Sequence, residues 1–137
     1  VLWSVTFSFL VVEMYEQIGG WPVIEKLVND FYGIMSTDPI AKDCFATHAN
    51  RDIEESSHKL KFFLSGWLGG PQLYVEKFGH PRLRMRHHPF LIGVKEAEQW
   101  LYCMKKALSQ SEITIELQAQ MFGSFAQVAQ MLINKHD

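Results

Sequence analysis

Gly79-His80-Pro81-Arg82-Leu83-Arg84-Met85-Arg86-His87-His88-Pro89-Phe90 is the stretch on which the reading of the whole chain turns. It sets two adjacent histidines behind three alternating arginines, with a proline near each end. Side chains this polar are seldom buried without partners, so the run does not read as plain core. Upstream, Gly69-Gly70-Pro71 stops whatever precedes it, because glycine takes the left-handed geometry of a helix end and proline blocks continuation. Downstream, Gly93 marks the next start. The segment from Gly69 to Gly93 holds three of the six histidines. Connections of about 20 residues inside a compact domain are uncommon and usually functional.

Helical periodicity surrounds this connection on both sides. A short helix is expected over Val11 to Ile18, stopped by Gly19-Gly20. Pro22 then opens a helix, since its missing N–H costs nothing in a first turn, and Ile24, Leu27, Val28, Phe31, Tyr32 and Met35 keep the i, i+3, i+4, i+7 spacing. Asp38-Pro39 ends it and starts a short turn of helix through Phe45. Ala46 to Asp52 reads as loop. Glu54 to Leu68 follows as helix, with Leu60, Phe63, Leu64 and Trp67 as its stripe. The histidine–arginine run reads as a short helix within the long, mostly irregular connection. Val94 to Leu108 puts Ala97, Trp100, Leu101, Met104 and Leu108 on one face. Ser109 with Glu112 matches a capping box for a last helix carrying Leu117, Met121, Phe125, Val128 and Leu132 inward to about Asn134. Alternation suggesting a strand is confined to Ser4 to Val12. The expectation is one all-α domain built from two antiparallel helix pairs on either side of the connection.

Composition narrows the function. The 137 residues make one domain, and a formal net charge of −2 argues against nucleic acid. Cys44 and Cys103 have no metal-ligand spacing and are too few for a disulfide framework, which fits a reducing cytoplasm. Val1 to Val12 carries no charge, but it is shorter than the roughly 20 residues a spanning helix needs, and it lacks the layout of a signal peptide. It is read as an extra N-terminal segment packed on the domain or a neighbour, the alternative being a membrane-contacting lead.

The chemistry of the connection leaves several readings open. A histidine backed by apolar rings and flanked by Arg84 and Arg86 provides the parts a haem needs: an axial imidazole, a hydrophobic slot and cations for the propionates. A buried, hydrogen-bonded histidine is the commoner outcome. A zinc site from His80, His87 and His88 is weak, because adjacent histidines point in different directions and no acid or cysteine nearby completes a tetrahedral set.

Gly69-Gly70-Pro71, Tyr74, Gly79 through His87, Pro89-Phe90 and Trp100-Leu101-Tyr102-Cys103-Met104, with Gly19-Gly20 and Phe31-Tyr32 ahead of them, closely resemble the motifs of the group II truncated haemoglobins in order and spacing. The resemblance runs from Tyr15 to Leu108; the last helix matches in pattern only. It implies a two-over-two helical sandwich around haem b, with a globin domain over 15–137 behind an extension over 1–14. By the resemblance His87 is the iron ligand. His88, before Pro89, turns away, and His80 is structural or near a propionate. Tyr32, Trp100, Ser56 and Leu60 match the ligand-binding side, and His48 is aligned at its corner, which makes Phe45 a core residue. Tyr32 and Trp100 would donate hydrogen bonds to a bound gas, with His48 as a third donor or as an iron ligand when no gas is bound. His58 is expected on a solvated face. Lys59, Tyr74, Arg86 and His80 are candidate propionate contacts, and Phe63 and Phe90 apolar contacts of the ring.

The implied function is reversible binding of O2, CO and NO, directed to redox or detoxification chemistry on O2, peroxide or nitrogen oxides rather than bulk oxygen transport. Peroxidase-like and NO-dioxygenase-like turnover are the candidate reactions. An electron donor of unspecified identity and a monomer or weak homodimer complete the expectation. The competing reading is a haem-based or haem-free helical sensor or interaction module.

Overall fold

The structure, a computed structural model, describes residues 14–49, 51–87 and 89–135. The expected extension, apart from Met14, its alternation at Ser4 to Val12, and the outward turn of His88 all lie outside the described residues. The described chain opens on a helical turn, α1 (14–18), which Gly19 and Gly20 end with φ of 111° and 71°. The Tyr15 N–H donates to the Leu68 carbonyl at 2.9 Å, so the opening turn is tied to the far end of a later helix.

Helix α2 (Trp21–Thr37) has Pro22 in its first turn and buries Ile24, Leu27, Val28, Phe31 and Met35. Asp38 leaves it in an extended conformation, as a residue before proline tends to, and its carboxylate accepts from the Ile40 N–H to cap a 3-10 turn, Pro39–Ala41. Helix α3 (Lys42–Ala46) follows directly. Asp52 then caps α4 (Ile53–Trp67) by accepting from the Glu54 N–H. Trp21, at the start of α2, meets Phe62, late in α4, with ring centres 6.0 Å apart. The two helices are therefore antiparallel.

The long connection is less irregular than its sequence suggests. It holds two short helices, α5 (Leu73–Phe78) and α6 (Leu83–His87). The first was not anticipated, because one and a half turns are too few for a 3.6-residue period to emerge. Gly79, at φ 81°, ends it.

Helix α7 (Val94–Ser109) and α8 (Ile115–Leu132) form the second pair. The cap expected at Ser109 belongs elsewhere. The Ser109 hydroxyl donates to the Lys106 carbonyl and closes α7, while Thr114 accepts from the Leu117 N–H and opens α8. The chain needs the residues between the two helices to reverse direction, so the sequence pattern at Ser109 and Glu112 goes unused. Helix α7 packs on both α2 and α8, and α4 packs on α2. The pairs α2/α4 and α7/α8 thus stack as a two-over-two sandwich. Among the described residues there is no strand.

Leu64 and Leu68 from α4 and its end, Met104 and Leu108 from α7, and Met121 from α8 meet the α2 stripe in one core. Each such side chain contributes about 1.5–3 kcal/mol on burial. Phe45, expected in this core, is exposed; Cys44 takes the inward position, its N–H donating to Gln99 Oε1 of α7 at 2.8 Å. Gln99 Nε2 donates to Asp43 at 2.8 Å, so this one side chain seats α3 against α7.

Candidate functional site

A cavity of about 450 Å³ opens between the helix pairs and α6. His87, the last residue of α6, lines it. Its Nδ1 lies 2.7 Å from the Leu83 carbonyl oxygen, one turn back. A carbonyl can only accept, so Nδ1 carries the proton, and Nε2 keeps its lone pair free for a metal. Ligating histidines are oriented by this kind of second hydrogen bond. Phe90 stands beside it, ring centres 6.0 Å apart.

The turn before α6 explains the rest of the opening stretch. Arg82 has a φ of 43°, unfavourable for a side chain with a Cβ, and its N–H donates to His80 Nδ1 at 3.1 Å. Arg86 Nη2 donates to the carbonyls of Phe78 and His80 at 3.0 and 3.2 Å. His80 therefore serves the turn with both its ring and its backbone, and it is not on the lining of this cavity. Arg86 does line it, with its guanidinium carbon 5.5 Å from the centre of the Tyr74 ring.

Tyr32, His48, Ser56, Leu60 and Trp100 line the same cavity from α2, the end of α3, α4 and α7. Phe31 supports two of them, with ring centres 4.9 Å from both Tyr32 and Trp100. Among the described residues the Tyr32 hydroxyl and the Trp100 indole N–H have no protein hydrogen-bond partner, and neither is an orphaned buried atom. Both donors are open to the cavity. Burial pushes the Tyr32 phenol well above its ordinary range, with the Cys44 thiol adding to the effect, so it stays a neutral donor. Burial likewise carries the Cys44 thiol up to about 12.

His48 has its ring tied to the backbone through one nitrogen. Its Nδ1 lies 3.3 Å from the Cys44 carbonyl and 3.1 Å from the Thr47 hydroxyl, which itself donates to that carbonyl at 2.6 Å. The proton therefore sits on Nδ1, and Nε2 presents a lone pair rather than a third N–H. Burial, more than the nearby His87 and Arg51, lowers its pKa against the opposing bond to Cys44. The ring is neutral near pH 7, with its centre 5.9 Å from that of Tyr32.

The remaining walls are apolar. Phe63 and Trp67 of α4 stack, and Trp67 stacks on Phe125 of α8 with centres 4.9 Å apart. Val128 and Leu132 complete that side. Lys59, Tyr74 and Phe90 lie on the lining, Lys59 pairing with Glu55 at 3.2 Å, while His58 is exposed. Sequence reasoning missed Arg51, whose guanidinium carbon sits 4.6 Å above the Phe90 ring at the cavity rim. No periodicity marks a loop arginine. It also missed the contribution of α8, although the inward spacing of Val128 and Leu132 was visible.

An apolar slot, an imidazole with a free Nε2 at His87 and a second at His48, two donors without a protein partner among the described residues and three cations at Arg51, Lys59 and Arg86 fit a haem. The family model for bacterial-like globins matches residues 13–134. The chain belongs to the bacterial-like globin family. A group 2 truncated haemoglobin of Bacillus subtilis is 38% identical over 121 residues, covering 88% of both chains. A cold-adapted truncated haemoglobin from the Antarctic marine bacterium Pseudoalteromonas haloplanktis superposes with a TM-score of 0.85 at 42% identity, over 89% of this chain and 98% of that one. The solved truncated oxygen-avid haemoglobin from B. subtilis gives a TM-score of 0.77 at 38% identity, over 88% and 98%. This truncated haemoglobin is thus a haem-binding globin that takes O2 and other diatomic ligands at iron. Among its described residues, no helix is long and apolar enough to cross a membrane.

Proposed function

We propose that this truncated haemoglobin carries haem b on His87 and retains O2 for redox chemistry instead of delivering it. The observation that carries the reading is the pair of open donors, Tyr32 Oη and Trp100 Nε1, on the lining of the same cavity as a histidine whose Nε2 is free. When bound, the haem supplies an iron that takes diatomic gases. The protein's part is to orient His87 through Leu83, to exclude water with Leu60, Phe63, Trp67 and Phe125, and to donate hydrogen bonds from Tyr32 and Trp100 toward the ligand. Trp100 is a donor only, and Tyr32, kept protonated by burial, offers its O–H, so both stabilise negative charge on the ligand. The same polarisation favours turnover of peroxide or nitrogen oxides over simple storage. The oxygen-avid character of the B. subtilis haemoglobin supports the retention half of the proposal.

Ser56 leaves the entrance small-sided, and His48 adds an acceptor beside Tyr32 that is able to approach the iron when no gas is present. Lys59, Arg86 and the unanticipated Arg51 are the propionate partners. The Tyr15 tie to Leu68 supports a domain start close to Met14. Free, buried Cys44 and Cys103 suit a cytoplasmic setting.

The test is an absorption spectrum of the ferric and ferrous forms, with and without CO, for the wild type and His87→Gly. The expected wild type has an intense Soret band that shifts with CO. The variant loses the five-coordinate ferrous spectrum and regains it with added imidazole. A wild-type spectrum in His87→Gly without imidazole refutes the assignment of the ligand.

A further inference from the structure

The chain reaches the turn after His87 from an unexpected direction. Asn134 lies just beyond α8, and its side chain makes three hydrogen bonds. Nδ2 donates to the carbonyls of Phe90 at 2.8 Å and His87 at 3.3 Å, and Oδ1 accepts from the Ile92 N–H at 2.8 Å. Its backbone N–H and that of Lys135 both donate to the Ile92 carbonyl, at 2.8 and 3.0 Å. One carboxamide thus grips the turn at three points, while the backbone on either side of it grips a fourth.

Helix α6 needs such a grip. It is a single five-residue turn, and so short a helix has no stability of its own. Its last carbonyls have no partner further along the helix. The His87 carbonyl instead accepts from the Phe90 N–H at 3.0 Å and from Asn134. The imidazole ring is aimed by Leu83, but the backbone that carries it is held by the turn, and the turn is held by Asn134. Asn134 itself is exposed, so apolar packing does not account for its place. The set of bonds is specific to a carboxamide. Aspartate lacks both donors and would set a negative charge against two carbonyl oxygens, and leucine of similar shape lacks donor and acceptor alike.

We infer that Asn134 is a positioning residue for the axial imidazole: from beyond the last helix it sets where His87 stands and hence how strongly His87 binds iron. The inference rests on His87 being the iron ligand. It is tested on Asn134→Leu and Asn134→Asp as haem-loaded proteins, with Thr37→Val, which loses a hydroxyl bond to the Gly33 carbonyl far from the cavity, as control. Two readouts apply: the iron–histidine stretching band of the ferrous protein by resonance Raman, and the rate of haem transfer to excess apomyoglobin. Both Asn134 variants are expected to shift and broaden the stretching band and to lose haem roughly tenfold faster, the equivalent of one to two hydrogen bonds. Their helical circular dichroism and the behaviour of the control stay as in the wild type. Should one variant fail to load haem, the other decides. An unchanged band and unchanged haem loss in the variants overturns the role of Asn134 while leaving His87 as ligand. A wild-type stretching band that persists in His87→Gly overturns both.

Discussion

Replacing the two open donors separates a retaining globin from a delivering one. Tyr32→Phe removes a hydroxyl with no protein partner among the described residues, and the ring keeps its edge-on contact with Phe31 at 4.9 Å. Trp100→Phe removes the indole N–H and keeps an aromatic ring against Phe31 and Phe125. A neutral hydrogen bond contributes about 1 kcal/mol, and one to a charged or strongly polarised partner about twice that. Since 1.4 kcal/mol is tenfold, each substitution should raise the O2 dissociation rate by roughly five- to thirtyfold. CO, which gathers much less charge than O2 when bound, should respond several-fold less. Stopped-flow displacement of O2 by excess CO measures the first rate, and displacement of CO by NO the second. Neither change removes a protein–protein hydrogen bond, so Tyr32→Phe should leave urea stability within about 0.5 kcal/mol of the wild type. The double variant should be close to multiplicative unless Phe31 couples the pair, in which case the cycle departs by more than about 0.5 kcal/mol. O2 release unchanged in both single variants would refute the reasoning, since the donors would then not reach the ligand.

Three further outcomes follow from particular contacts. The Tyr102 hydroxyl donates to Asp38 at 2.7 Å and is the main cause of that carboxyl's lowered pKa, ahead of the Ile40 N–H and Lys106. A lowered value gives stability that is present above the unfolded carboxyl's pKa of about 3.9 and is lost as pH falls through the folded value; Tyr102→Phe should therefore melt below the wild type at pH 7, with the gap closing in acid, and a gap independent of pH would sink the assignment. Leu64→Ala, at a fully buried position, should cost about 2–5 kcal/mol in urea denaturation, whereas a cost below 1 would mean that α4 does not pack as described. At Gly70 an added Cβ would collide with the Tyr15 ring, so Gly70→Ala should destabilise by roughly 1–3 kcal/mol and Tyr15→Ala should relieve part of that, a non-additive pair readable by thermal melting.

The four long helices were legible because their stripes persist long enough for a period to emerge. Ile24 to Met35 is the clearest, and its buried set matches the spacing residue for residue except Tyr32, which faces the cavity. The failures have distinct causes. Helix α5 is too short to show a period. Ser109 satisfies a capping pattern that Thr114 fulfils in the fold, since both residues suit a cap and only the path of the connection chooses between them. Phe45 is apolar yet exposed, because Gln99 fixes α3 with Cys44 inward. At the site, residue types were legible and protonation was not. His48 was expected either to donate or to ligate iron; the Cys44 carbonyl beneath its ring leaves Nε2 as an acceptor toward the cavity, which suits the second role and not the first. Arg51 and Asn134 depend on contacts across the domain and leave no local pattern.

The partial burial of Leu60, Phe63, Trp67 and Trp100 has a thermodynamic meaning. These residues belong to apolar stripes, yet besides packing on one another and on Phe125 they line the cavity. An apolar void costs about 24 cal/mol per Å³ in cores where large side chains have been truncated. Applied to about 450 Å³ as though the cavity were closed and dry, that sets an upper bound on the order of 10 kcal/mol, comparable to the entire 5–15 kcal/mol stability of an ordinary domain. Water entering past Ser56 and the Arg51 rim reduces the figure but leaves aromatic faces wet. The sandwich therefore has its core completed by the cofactor, and haem binding adds to stability by mass action. On the function proposed above, Tyr32 and Trp100, whose donors have no protein partner among the described residues, are arranged toward a ligand on that haem and not toward a neighbouring side chain.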